Sequence, residues 1–286
     1  MTKIPRIVHY VFGMREQTRP FHLLHYLAIE SSRRVLQPER IYLYYHHLPF
    51  GLYWDMISPH LTLVRVAPAT EVSAVQYDDN RVPEQYRYAH HADVIRLDAL
   101  IEHGGIYADI DTLFLRPLPE AFYRRPFVIS REAPVVDERS GELQESLCNA
   151  VMMAAPGSAF ACTWRERIGA ALNGTWSNHS CLLARRIAEE YPEDVHVEPP
   201  ETFLGVPLTP DGLQALLEGG ELDVSDSYCI HLWQHVWWEE SRTDFCRVHA
   251  QDLTLRHLRN ADTPLAQLAR PFLPQVDLAA LGPATA

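Results

Sequence analysis

The sequence predicts an α/β protein with parallel strand pairing, and three observations carry that prediction. Short runs rich in β-branched and aromatic residues recur near the start, at residues 7–12 (IVHYVF), 41–45 (IYLYY) and 61–66 (LTLVRV), and such runs read as strands. Between the first two, residues 20–36 place Phe21, Leu24, Leu27, Ala28 and Val35 at helical spacing. Farther on, a second helical stripe leads through two glycines into another apolar run, residues 103–112 reading HGGIYADIDT. Strand, helix and strand in that order join most simply as a parallel unit.

Taken in order, the first strand stops at Gly13, and residues 67–88 are polar and irregular. The spacing then predicts a helix over 89–103, with Val94, Leu97, Leu100 and Ile101 as its apolar stripe and Gly104-Gly105 as its stop. Residues 106–115 read as one strand, ended by Arg116-Pro117-Leu118-Pro119. Residues 127–130 read as a short strand, 133–146 as a polar excursion and 150–154 as another buried strand. Helical patterns cover 160–172 and 180–191, and 229–233 read as the last strand. From about 263 the chain is rich in Pro, Ala and Leu and reads as a loosely docked tail. There is no internal repeat.

At 286 residues the chain can build one domain with a full core or two small ones. Its net charge of −12 argues against a broad nucleic-acid or anionic-membrane surface, while a small anion held by a local cation is compatible with it. The opening MTKIPRIVHYVFG lacks the features of a secretory leader. No run of about 18 apolar residues is present to form a spanning helix. The five cysteines are scattered without CxxC spacing and fit reduced thiols. These features together predict a cytoplasmic protein, so Asn173-Gly-Thr and Asn178-His-Ser read as chance matches to a glycosylation pattern. Among the fifteen histidines, His46-His47 and His90-His91 lack zinc-ligand spacing, and most are expected in surface or loop positions.

The run 106–115 raises the functional question, because it holds two carboxylates, Asp109 and Asp111, among apolar residues. A buried carboxylate is costly without a partner. On a strand, Tyr107, Asp109 and Asp111 share one face and Ile106, Ala108 and Ile110 the other. The acids would then stand about 6.6 Å apart at the backbone. A single Mg²⁺ or Mn²⁺, binding oxygen at roughly 2.1 Å, meets both only if the strand bends. Hard oxygen ligands favour those ions over zinc. The alternatives are a solvated strand end or a structural ion pair. On the preceding helix Asp93 and Arg96 lie on one face at i, i+3, a spacing most often found in exposed ion pairs. Ligands of open α/β sheets bind beyond the carboxyl ends of the strands, where Asp111 is expected.

Asp93-Val-Ile-Arg96 followed by Gly104-Gly105-Ile-Tyr-Ala-Asp109-Ile-Asp111 resembles the sugar-binding DXD region of glycosyltransferase family 32. That group includes yeast-type mannosyltransferases, bacterial capsule enzymes and, more distantly, clostridial glucosylating toxins. Ile4-Pro5-Arg6-Ile7-Val8-His9 is similar to the family's opening strand, and Asn149-Ala-Val-Met-Met to its asparagine-led strand. The resemblance implies a GT-A (Rossmann-like) fold with a mixed, mostly parallel central sheet. It implies one catalytic domain over 1–262, with a donor-binding part over about 1–130 and an acceptor- and metal-closing part over about 131–262, followed by a tail over 263–286. It also implies a nucleotide-sugar donor, UDP-sugars favoured over GDP-mannose, an unidentified hydroxyl acceptor, and Mn²⁺ or Mg²⁺ as cofactor.

Carried over by position, Asp111 would ligate the metal and Asp109 would contact the donor's ribose and sugar. Asp93 and Arg96 would hold hydroxyls of the transferred sugar, Val11 and Phe12 would lie near the base, and Asn149 would join the donor-binding set. Phe12 stands where the family often has Trp, and Ala92 where a serine is common. Residues 230–238 (IHLWQHVWW) resemble the histidine-and-tryptophan segment that closes many GT-A sites, which makes His231 a candidate for the metal or the pyrophosphate. The His231–His235 spacing does not make a zinc protease, because Leu232 stands at the glutamate position of HExxH. Trp233, Trp237 and Trp238 read as core rather than as a sugar platform.

The implied reaction moves a sugar from a nucleoside diphosphate to a hydroxyl with retention at the anomeric carbon, by a same-face route assisted by the leaving phosphate. Two other readings compete. A haloacid-dehalogenase-like phosphatase would use Asp109 as nucleophile, but Leu113 stands where that class wants Thr or Val, and the acid pair Asp78-Asp79 precedes the motif instead of following it. A non-catalytic nucleotide-sugar-binding protein is the other, against which no motif residue is missing.

Overall fold

The computed structural model describes residues 3–77, 87–137 and 140–276. The expected opening is present as β1 (Ile7–Val11), α1 (Leu23–Val35), β2 (Arg40–Tyr45) and β3 (Thr62–Arg65), with two unanticipated helices, α2 (Leu52–Ile57) before β3 and the single turn α3 (Thr70–Ser73) within the stretch read as irregular. The helix predicted over 89–103 is α4 (Arg87–His103), which leads into β4 (Gly105–Ala108) and β5 (Thr112–Phe114). Next come the hairpin β6 (Phe127–Val136) and β7 (Leu143–Ala154), then α5 (Ala159–Ala171), α6 (Cys181–Glu190), β8 (His196–Glu198), α7 (Pro200–Phe203) and α8 (Pro210–Glu218). β9 (Cys229–His231), α9 (Leu255–Asn260) and α10 (Pro264–Ala269) complete the order.

Seven strands form the main sheet in the order β3-β2-β1-β4-β7-β6-β8. β1 is parallel to β2 and β4, β2 to β3, and β6 to β8, while β7 is antiparallel to both β4 and β6. Only β7 therefore runs against the rest, which gives the mixed, mostly parallel sheet of the GT-A expectation. Alternation along the strands feeds two cores. Val8, Tyr10, Ile41, Leu43, Ile106 and Ala108 join the core that holds α1, α2 and α8 to α10. Val11, Tyr44 and Tyr107 join the core that holds α4, α5 and α6. The sheet is thus the middle of three layers, buried on both faces as parallel sheets are.

The passage from α4 to β4 depends on its glycines. Gly105 has φ +107°, and a Cβ there would stand 2.6 Å from the Ile7 carbonyl oxygen of the neighbouring strand. Gly104, at φ +62°, would bring a Cβ to 2.5 Å from Pro156 Cδ. Only glycine adopts such φ values without strain, and only glycine fits so close to β1 and to the Pro156 turn.

Four expectations need correction. Residues 106–115 are not one strand: the Thr112 amide donates to the Asp109 carbonyl at 3.0 Å, and the chain turns over 109–112. The alternation of that run looks continuous because both flanking pieces are genuine strands, while aspartates are at home in turns. Residues 133–146 are not an excursion but part of the hairpin, with Val135 opposite Gln144 and Val136 opposite Leu143. That ribbon is largely solvated, so its composition mimics a loop. The chain from 263 is not loosely docked at first. Thr263 caps α10 with Pro264 in its first turn, and Leu265, Ala266 and Ala269 are fully buried. The rest of that predicted tail, 277–286, lies outside the described residues. Finally, His9, His25, His90, His91, His179, His231 and His249 are buried, not superficial. Several of their rings have internal hydrogen-bond partners; His9, for example, bonds the Gly104 carbonyl and the Tyr44 hydroxyl. All five cysteines are free thiols. Among the described residues no helix is long and apolar enough to cross a membrane.

Candidate active site

The site is assembled by two strand pairings. In the parallel pair, Val8 lies opposite Ile106 and His9 opposite Tyr107. The carboxyl ends of β1 and β4 therefore open at one edge, with Val11 and Phe12 beside Asp109 and Asp111. The turn after β4 then sends the chain out of the main sheet into β5, which pairs antiparallel with β9 so that Thr112 faces His231. The bend that a straight strand lacked is thus supplied by the turn. Ligand-type atoms of Asp109, Asp111 and His231 all lie within 4.8 Å of one another.

His231 Nε2 stands 3.1 Å from Asp111 Oδ1 and 3.9 Å from Asp109 Oδ2. The Gln234 amide donates to Asp111 Oδ2 at 2.9 Å, and the Leu232 amide to the Asp111 carbonyl at 3.0 Å. Both amides are aimed there by a turn at Trp233, whose φ of +52° is left-handed. A side chain in that region costs roughly 1–2 kcal/mol, and the Trp233 indole is held in place by donating to the Val206 carbonyl at 2.8 Å. The Gln234 side chain in turn accepts from His25 Nε2 at 3.1 Å. The His25 ring stacks on Trp238 with centroids 5.1 Å apart and lies 4.8 Å from Phe12.

Burial opposes ionisation of Asp111, but His231 and the Gln234 amide outweigh it and hold the carboxyl at about 2. For Asp109, burial and the neighbouring Asp111 charge prevail over Arg96, and its pKa is raised. Burial alone would lower His231, yet its two carboxylate neighbours raise it. The pocket thus gathers negative charge that a cation relieves. Asp109 Oδ2 has no hydrogen bond among the described residues, and His231 Nδ1 is buried without a partner. Two carboxylates and one imidazole suit Mn²⁺ or Mg²⁺.

On the α4 side the spacing-based pair is buried instead of exposed. Arg96 Nη2 lies 3.1 Å from Asp93 Oδ1 and 3.3 Å from Asp109 Oδ1. Its Nη1 donates to the Asn149 carbonyl at 2.7 Å and its Nε to the Ala92 carbonyl at 3.2 Å. The guanidinium also sits 4.4 Å over the Tyr107 ring, whose hydroxyl donates to Asp109 Oδ1 at 2.6 Å. Asn149 Nδ2 donates to Asp93 Oδ1 at 2.8 Å, and His179 Nε2 lies 2.9 Å from Asp93 Oδ2. Burial works against the Asp93 charge, but Arg96 and His179 bring its pKa down to about 2.

Six of the residues singled out from sequence therefore meet: Asp93, Arg96, Asp109, Asp111, Asn149 and His231. Val11 and Phe12 stand at the same edge, but the Val11 side chain is buried in the core that holds α4, α5 and α6. Phe12 is half-buried against Phe21 and His25. Trp233 and Trp237 are core, as expected, and Trp238 is partly exposed on His25. Sequence reasoning missed the parts played by Tyr107, His179, Gln234 and His25. Tyr107 was within reach, since alternation places it on the face of the acids. His179 was hidden in the Asn178-His-Ser triplet, whose Asn178 is buried and donates to the Ala171 carbonyl.

The mixed, mostly parallel sheet, with an Asp-x-Asp turn closing its central parallel pair beside a buried Arg-Asp pair, is the arrangement expected of a glycosyltransferase of the GT-A type. Residues 65–128 match the family described as a glycosyltransferase sugar-binding region containing the DXD motif. Over 279 residues the chain is 30% identical to Glucan organizing enzyme 1 of Cryptococcus neoformans var. grubii, covering 94% of this chain and 71% of that protein. The chain belongs to the DXD-containing glycosyltransferase family. Two similar solved structures overlap it loosely. The PaToxG glycosyltransferase has a TM-score of 0.46 at 12% identity, over 67% of this chain and 71% of its own. GlyE of Streptococcus pneumoniae TIGR4 has 0.39 at 11%, over 69% and 46%. Nothing in the assignment rests on those two overlaps. The phosphatase alternative falls with the family assignment. Asp109 Oδ1 is in any case engaged by Tyr107 and Arg96, and Asp78-Asp79 lie outside the described residues.

Proposed function

We propose that this glycosyltransferase moves a sugar from a nucleoside-diphosphate sugar to an acceptor hydroxyl in a reaction dependent on Mn²⁺ or Mg²⁺. The observation that carries this reading is the convergence of Asp109, Asp111 and His231 within 4.8 Å beside the buried Arg96–Asp93 pair. Asp111, His231 and Oδ2 of Asp109 would hold the ion. A divalent cation there supplies Lewis-acid neutralisation of the charge that develops on the leaving diphosphate.

The chain's own residues bind and orient. Arg96 cannot lose its proton, and its fixed guanidinium presents a hydrogen-bond donor to the sugar without reorganising. Asp93 supplies the complementary acceptor. Phe12 and the Val11 backbone flank the base, and UDP-sugars are favoured over GDP-mannose. Donor binding falls to about residues 1–130, acceptor binding and closure to the chain from about 131. Asp93 and Asp111 are held by neighbours through both oxygens, and Oδ2 of Asp109, which has no hydrogen bond among the described residues, would be taken by the ion, so no carboxylate is left over to act as a nucleophile. This supports transfer with retention on the face of the leaving phosphate. The name of the Cryptococcus relative makes a glucan the first acceptor to try.

The test incubates the purified protein with UDP-glucose, UDP-galactose, UDP-N-acetylglucosamine and GDP-mannose, with Mn²⁺ or with chelator, and with or without glucan oligosaccharides. Nucleoside diphosphate release is expected only with metal, and the NMR spectrum of the product should show retained configuration. Metal-independent release contradicts the metal reading, and an inverted product contradicts the retaining route.

A further inference from the structure

Behind the acid pair lies a histidine to which the transfer chemistry assigns no role. His179 ends the loop between α5 and α6 and is fully buried. Its carbonyl accepts from Trp164 Nε1 at 3.0 Å, the preceding Asn178 is bonded to the Ala171 carbonyl and to Arg186, and its ring meets the His90 ring edge to face at 4.4 Å. Backbone and ring are therefore both fixed. Because ionised Asp93 only accepts, the hydrogen on His179 belongs on Nε2, which donates to Asp93 Oδ2.

The donor and acceptor inventory then becomes restrictive. An ionised carboxylate has about four acceptor positions. Asp93 Oδ1 is used by Arg96 and Asn149, and Oδ2 by His179, which leaves one position on Oδ2. Arg96 has five N–H groups. Nε bonds Ala92 and Nη1 bonds Asn149, while Nη2 stands in ion-pair contact with Asp93 at 3.1 Å and with Asp109 at 3.3 Å, which leaves the second hydrogen of Nη1 unassigned. One acceptor and one donor suit a single hydroxyl, which can do both. Small parts of both side chains remain accessible, 9% of Asp93 and 5% of Arg96.

We propose that His179 is a positioning residue that fixes the one open acceptor position of Asp93, so that Asp93 and Arg96 together read a single hydroxyl of the transferred sugar. This rests on the nucleotide-sugar reading above. Without His179 the Asp93 carboxylate is free to rotate its second oxygen, and the hydroxyl loses its defined partner.

The test takes whichever of UDP-glucose, UDP-galactose, UDP-N-acetylglucosamine and GDP-mannose the wild type hydrolyses fastest with Mn²⁺, together with versions lacking one sugar hydroxyl each. One missing hydroxyl should lower kcat/KM by about tenfold or more, the usual weight of a hydrogen bond to a charged group. In His179→Leu and His179→Asn that discrimination should fall below about threefold. His179→Gln, which carries an N–H where Nε2 stands, should restore it. Affinity for the nucleoside diphosphate with Mn²⁺ should be unchanged in all of them. If His179→Leu does not fold, the Asn and Gln pair decides. Discrimination kept in His179→Asn overturns the proposal, as does loss of diphosphate affinity in parallel with it, since that marks a merely structural role. A wild type that hydrolyses no nucleotide sugar overturns the transfer reading itself, whereas active variants with unaltered discrimination overturn only this inference.

Discussion

The two sides of the site are built on different terms. On the α4 side Asp93 and Arg96 are nearly saturated by Asn149, His179, Ala92 and Asp109, although the far nitrogen of His179, Nδ1, is buried without a partner. On the β9 side Asp109 Oδ2 is open, His231 Nδ1 and Gln234 Nε2 are buried without partners, and Trp233 holds a left-handed backbone. A satisfied buried network is rigid and specific, whereas unsatisfied buried polar groups in a native fold call for an explanation such as an ion or ligand. On the proposed reading, the contrast teaches that the sugar's orientation would be set by folding alone, while the diphosphate end would be completed when its ligands arrive.

The sharpest way to break that comparison is to truncate one member of each side. Arg96→Met leaves Asp93 and Asp109 buried without their cation and should cost about 3–5 kcal/mol of unfolding free energy by urea denaturation. Asp109→Asn, made in chelator, removes the repulsion between the two acids and should change stability by less than about 1 kcal/mol. Equal losses in the two variants would erase the distinction between a closed and an open side.

A smaller effect tests the backbone that brings both sides together. Gly105→Ala meets the Ile7 carbonyl in a left-handed conformation and should cost at least about 2 kcal/mol. It should lower the melting temperature and the metal-induced stabilisation together, because β1 and β4 carry both sides of the cleft. A melting temperature equal to wild type would show that the crossing is not tight.

Acid probes buried imidazoles on both sides at once. Burial lowers His9 and His22 to about 4, and His25 and His90 to about 3, from 6.5. Below 6.5 the unfolded chain binds protons that the folded chain refuses, so stability is at full value well above 6.5. It is lost as pH falls toward those folded values, by up to about 1.4 kcal/mol per histidine for each pH unit. Urea midpoints at pH 7.5, 6.5 and 5.5 should drop slightly over the first interval and mainly over the last. A midpoint that stays flat to pH 5.5 would mean that these rings are not held neutral.

Much of the scaffold was legible from the chain. The runs at 7–12 and 41–45 fell on β1 and β2 because buried parallel strands are made largely of apolar residues, and the run at 61–66 fell on the largely exposed edge strand β3 through its β-branched content. Asp93, Arg96, Asp109 and Asp111 were named together because their arrangement resembles the family's DXD region, their spacing alone leaving an exposed ion pair open. What escaped was non-local. The turn at 109–112 is invisible where two strands abut in one apolar run, and His231 was reachable only through the family resemblance, because its contact with Asp111 depends on β5 pairing with a strand more than a hundred residues away. His179 reaches Asp93 from a loop with no periodicity. The docking of α10 was a missed local signal, since Thr263 followed by Pro264 is a helix start.

The central claim is that Asp111 anchors a divalent cation which in turn holds a nucleoside diphosphate. Thermal unfolding of the wild type and of Asp111→Asn, each with Mn²⁺ alone, UDP alone and both together, tests it most directly. The wild type should gain stability with both ligands together, about 2.7 kcal/mol at a hundredfold excess over Kd, and much less with UDP alone, while Asp111→Asn should gain almost nothing from the pair. An equal gain in the variant, or none in a folded wild type, would contradict the account.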